Sequence, residues 1–137
     1  MSHFDRHFTL GEANALLPRI REIFQMIHSR LKEAQAGASP ISLSPHPLTP
    51  GRTNGKQTPG RLSHEQIVRE IGDWIAEIAD NGIVIQDVSR GLIDFPAFVE
   101  GEEVFLCYEL NDGDTIRYWH SLDRGYAGRR PIPSGML

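Results

Sequence analysis

The sequence predicts an α+β fold, an antiparallel helical hairpin packed on a small antiparallel β-meander. Three observations carry this: helical apolar periodicity near the N-terminus, a second helical stripe after residue 62, and a C-terminal third of alternating strands broken by Gly-containing turns. At 137 residues the chain is expected to form a single domain, residues 1–137.

The first helix starts at a capping-box spacing, Thr9 with Glu12. Ala13, Leu16, Leu17, Ile20, Ile23, Phe24, Ile27 and Leu31 then recur at helical intervals. Pro18 lacks an N–H and crowds the carbonyl of Asn14, so a kink, or a short helix followed by a longer one, is expected there. From residue 37 to 62 prolines and glycines dominate, which opposes regular structure and predicts a flexible inter-helix loop. The second helix opens at Ser63 with Gln66 as capping partner and Leu62 as a staple for Ile67. Its stripe is Ile67, Ile71, Trp74, Ile75 and Ile78, and Asn81 with Gly82 marks its stop. Leu10 and Val68 are apolar residues left over from these stripes, which suggests a homodimer surface on the helices.

Ile83 to Val88 reads as a short strand. Leu92 to Val99, Glu103 to Leu110 and Thr115 to His120 read as a three-stranded meander, with Pro96 marking an edge or a bulge. A two-residue turn at Asp112 and Gly113 would set Leu106 opposite Trp119 and Phe105 opposite His120. A turn at Gly101 and Glu102 would set Asp94 opposite Glu109 and send Ile93, Phe95, Ala97 and Val99 to the helix side. Asp94, Cys107, Glu109 and His120 then share the other side of the sheet.

That shared side is the candidate functional surface. Asp94, Glu109 and His120 are candidate catalytic residues and candidate ligands for a divalent metal, because adjacent carboxylates raise one another's pKa and oxygen with nitrogen donors suits such an ion. His120 would act as a base near neutral pH. Trp119, Asp123 and Arg129 are candidate ligand-binding residues: the last segment is rich in Gly and Arg, which suits a small anionic ligand or a protein partner. The structural alternative pairs Arg129 with Asp123, Asp94 or a helix end. Cys107 has no neighbouring base in sequence and reads as core filler. His3 and His7 precede the first cap and read as a frayed terminus.

Composition excludes several classes. Hydrophobic residues at 39% and charged residues at 23% fit a globular protein. No apolar run could span a bilayer, and the polar start lacks the apolar core of a signal peptide, so a cytoplasmic location is expected. A lone cysteine rules out an intrachain disulfide and a cysteine-rich zinc site. The net charge of −4 argues against nucleic acid as a partner. Locally the sign reverses, with Arg117, Arg124, Arg129 and Arg130 against Asp123 alone after residue 114.

Phe8, Thr9, Glu12, Ala13, Asn14, Leu17 and Pro18, then Gly82, Ile83 and Gly91 through Ala97, then Leu106, Cys107, Tyr108, Trp119, His120, Gly125, Gly128 and Arg129 together resemble an uncharacterised prokaryotic family, the domain-of-unknown-function family numbered 2203. The resemblance spans the chain apart from the proline-rich segment. It implies a helical hairpin with a small sheet and brings no activity, cofactor or catalytic residue. Binding module and metal-assisted hydrolase therefore stand as the two functional readings.

Overall fold

A computed structural model describes residues 2–43 and 63–133, with the side chains of 36–43 excepted. Helix α1 is Leu10–Leu43 and α2 is His64–Asp80; five strands follow, β1 Val84–Asp87, β2 Leu92–Val99, β3 Glu102–Tyr108, β4 Tyr118–Ser121 and β5 Arg130–Pro131. The sheet is antiparallel with order β1-β2-β3-β4-β5. The fold is thus the expected α+β arrangement, with five strands where the meander read as three with a separate short strand.

Both capping boxes form. The Glu12 amide donates to Thr9 Oγ1 at 3.0 Å and the Thr9 amide donates to Glu12 Oε1 at 2.9 Å. At α2 the Gln66 amide donates to Ser63 Oγ at 3.1 Å, answered by the Ser63 amide to Gln66 Oε1 at 2.9 Å. The helices run antiparallel, as two ion pairs record: Arg19 with Glu77 at 2.8 Å and Arg30 with Glu70 at 2.8 Å.

Two helix expectations need correction. Of the alternatives at Pro18, a short helix followed by a longer one does not hold: one continuous helix spans Pro18, which is exposed. The same helix continues through Leu43, seven residues into the stretch read as loop. The rest of that loop, residues 44–62, and the Leu62 staple lie outside the described residues.

The core lies between helices and sheet. Ala13, Leu17, Ile20, Phe24 and Ile27 of α1 and Ile78 of α2 meet Ile93, Phe95, Ala97, Val104, Leu106 and Tyr108. Leu10 also packs partly against this core, whereas Val68 is exposed. The β3/β4 pairing is as expected, Phe105 with His120 and Leu106 with Trp119. Its connection is not: β3 ends at Tyr108, a 3₁₀ turn covers Leu110–Asp112, and β4 begins at Tyr118. Asp112 does not serve a tight hairpin because its carboxylate accepts from the Glu109 amide at 3.0 Å, closing a local turn.

The β2/β3 register differs from the expected one by two residues. Glu100 and Gly101, at φ 53° and 82°, form the turn, so Val99 pairs with Glu102 and Asp94 lies opposite Cys107 rather than Glu109. A two-residue change preserves which side each side chain faces, so Asp94 stays away from the helices. Pro96 is not on an edge strand. It sits on β2 beyond the end of β1, where its carbonyl accepts from the Phe8 amide at 2.8 Å and no ladder N–H is needed.

The second side of the sheet is covered as well. Phe4 packs on Phe105 with ring centroids 5.3 Å apart, and His7 stacks on Phe98 at 4.1 Å. The N-terminal segment is therefore not frayed. Glu103 accepts from the His3 amide at 2.7 Å and the Phe4 amide at 3.2 Å, and its carboxylate lies 2.6 Å from His7 Nε2 and 3.0 Å from His3 Nδ1.

Candidate functional site

Side-chain alternation sends Asp94 of β2, Cys107 of β3 and His120 of β4 to the side of the sheet away from the helices. All three are buried, at 1%, 1% and 3% exposure. One donor atom from each lies within 4.8 Å of the other two. They border a cavity of about 180 Å³ whose walls also include Gln86, Phe105, Leu122, Arg124 and Tyr126.

Each buried polar atom of this group has a partner. His120 Nε2 lies 3.1 Å from Asp94 Oδ1 and Nδ1 lies 2.8 Å from the Ser121 carbonyl. Both neighbours accept, so the imidazolium matches the site and donates to each. The second Asp94 oxygen accepts from Gln86 Nε2 at 2.9 Å. Gln86 reaches it from the bulge where β1 slips register between Ile85 and Asp87. Burial alone would pull the His120 pKa down, but the bonds to Asp94, Cys107 and the Ser121 carbonyl outweigh it and lift it to about 10. Left to these neighbours, His120 is a proton holder at neutral pH rather than the base expected from its type. Burial pushes the Cys107 thiol up, against the lowering influence of His120 and of Arg129, whose Nη1 lies 3.9 Å from Sγ.

Glu109, expected beside Asp94 and His120, belongs to a neighbouring cluster. It follows the end of β3, accepts from Arg90 Nε at 2.8 Å and from the Tyr126 hydroxyl at 2.9 Å, and is absent from the Asp94, Cys107 and His120 group. Arg129 holds that cluster together. It grips Asp112 in two-point fashion at 2.7 and 3.1 Å, and its guanidinium lies 4.0 Å from the Tyr118 ring centroid and 4.2 Å from that of Tyr126. Its acid partners are Asp112 and, at 3.9 Å, Glu109, not Asp123, Asp94 or a helix end. Asp123 accepts from the Ser121 hydroxyl at 2.7 Å on an exposed turn. Trp119 pairs with Leu106 and packs on the helix-side core, the opposite side of the sheet from His120.

Cys107, Gln86, Arg124 and Tyr126 are the participants that sequence reasoning left out of the candidate set. Register had already put Cys107 on the right side, and only the demand for a base nearby in sequence set it aside; the base comes from the strand across. Gln86 and Arg124 carried no comparable signal, since a bulge and an irregular turn aim them.

An α+β scaffold with two antiparallel helices on one side of a five-stranded meander, and a buried acid, thiol and imidazole on the other, defines the class of protein. A profile of the family described as "Uncharacterized conserved protein (DUF2203)" matches residues 6–132, and the chain belongs to that family. No curated protein matches the chain, and no solved structure does.

Proposed function

We propose that this protein binds a divalent transition-metal ion, zinc by donor type, through Asp94 Oδ1, Cys107 Sγ and His120 Nε2. The observation that carries the reading is the convergence of three buried donors of different chemistry beside a cavity. Carboxylate, thiolate and imidazole together suit zinc. The outer contacts support it: a ring nitrogen on a backbone carbonyl and a carboxylate held by a neighbouring amide are what orient metal ligands. Glu109 is replaced by Cys107 in this donor set. Three protein ligands would leave a fourth position of a tetrahedral ion for water or substrate, as in catalytic rather than closed structural zinc, and this favours metal-assisted hydrolysis as the enzymatic form of the reading.

Uptake must displace the His120 proton and the thiol proton, so metal binding releases protons and strengthens as pH rises. The lone unpaired cysteine fits a reducing compartment, the cytoplasm. Protein purified without an affinity tag and analysed for metals should carry zinc near one equivalent, or take it up with a rise in melting temperature. Cys107→Ala and His120→Ala should each abolish this, while Glu109→Gln keeps it. Absence of zinc, together with no thermal response to zinc, cobalt or manganese, overturns the reading.

A further inference from the structure

We infer that the cavity beside Asp94, Cys107 and His120 receives a small carboxylate, recognised through Arg124. The inference takes its location from the site proposed above and does not depend on the ion itself.

Arg124 borders the cavity together with all three donor residues. Unlike Arg129 and Arg90, whose guanidinium groups are committed to Asp112 and Glu109, its guanidinium makes no hydrogen bond or ion pair among the described residues. Asp123, its neighbour in the chain, feels its charge only at longer range. Arg124 is exposed, and its stem lies against Gly128: a Cβ added there would come within 3.0 Å of Arg124 Cδ and 3.1 Å of its Cβ, so a methyl at 128 would press on the arginine. An exposed guanidinium at a cavity wall that is hydrogen-bonded to no protein acid is a ready donor fork for an oxyanion.

Leu92, Phe105 and Leu122 give the wall an apolar part beside its polar Gln86 and Tyr126, which suits a carboxylate with a short hydrocarbon body. At about 180 Å³ the space lies below the roughly 300–1,000 Å³ of drug-sized sites, which excludes a nucleotide.

The test is titration of full-length protein with propionate, acetate and inorganic phosphate, with and without added zinc, following the His120 ring resonances by NMR. Saturable shifts with propionate are expected. Arg124→Ala should weaken binding at least tenfold and Arg124→Lys should restore part of it, with zinc content unchanged in both. Gly128→Ala, which keeps the arginine but displaces it, should also weaken binding. Propionate binding equal in wild type and Arg124→Ala, binding of phosphate without propionate, or no saturable binding in either zinc condition would each overturn the inference. Arg124-dependent propionate binding by a protein that takes up no zinc would sustain it and remove the metal reading alone.

Discussion

Arg129 and Gly91 show how single residues decide this structure. Arg129 is nearly buried between two tyrosine rings and directs Nη1 and Nη2 together at Asp112, which is itself at 8% side-chain exposure. Arg129→Ala should leave that carboxylate buried without its counter-charge and cost about 3 kcal/mol in urea denaturation. Arg129→Lys should recover little, since an ammonium cannot reproduce the two-point grip or the stacking. Gly91 sits at φ 63°, and a Cβ there would meet Leu110 Cγ at 2.5 Å. Gly91→Ala therefore combines a left-handed backbone with a clash against a partly buried leucine; a loss of about 2 kcal/mol, read as a lowered denaturant midpoint with unchanged slope, is expected.

At the scale of elements, the helices are stabilised at their starts as much as along their stripes. Removing the Ser63 hydroxyl leaves the Gln66 amide at the N-terminus of α2 without its acceptor, so Ser63→Ala should cost about 1 kcal/mol, and Ser63→Asp should restore it. The comparison separates the hydrogen bond from any packing role, because position 63 is exposed. The strands depend instead on turns. The Glu100 and Gly101 turn fixes β2 against β3, and through that pairing sets Asp94 opposite Cys107. Helix α1 reaches the opposite end of the sheet: Asn14 Oδ1 accepts from the Ile116 amide at 2.8 Å, and Arg21 pairs with Asp114.

For the whole molecule, the N-terminal segment acts as a strap over the sheet side away from the helices, tied down by one carboxylate. Burial pushes Glu103 upward, but bonds from His7, from the His3 and Phe4 amides and from the His3 ring outweigh it and hold the carboxyl at about 2. A depressed carboxyl contributes stability above its unfolded pKa and loses it as pH falls through the folded one. The strap contribution should therefore be complete above about pH 4.5 and fade toward pH 2. Melting temperatures of wild type and Glu103→Gln should differ at neutral pH and converge near pH 2, and hydrogen exchange at the Phe4 amide should be faster in the variant. A constant gap across that range would show that packing of Phe4 and His7, not the carboxylate, holds the strap. Among the described residues no helix is long and apolar enough to cross a membrane.

The sequence by itself determined both helix starts, the end of α2 and the side that residues of β2, β3 and β4 take; Phe105 pairs with His120 although the tight Asp112–Gly113 turn that predicts this pairing does not form. These follow from short-range chemistry: a capping hydroxyl, a period of apolar residues, an alternation that a two-residue slip cannot disturb. It could not determine that the Leu110–Asp112 turn removes Glu109 from the site, that a bulge aims Gln86 at Asp94, or that Arg129 turns inward to Asp112. Such outcomes depend on competition among several acids and cations for partners distant in sequence. Only the folded chain decides it, since burial removes water as the alternative partner and makes each buried charge take the nearest group that can satisfy it.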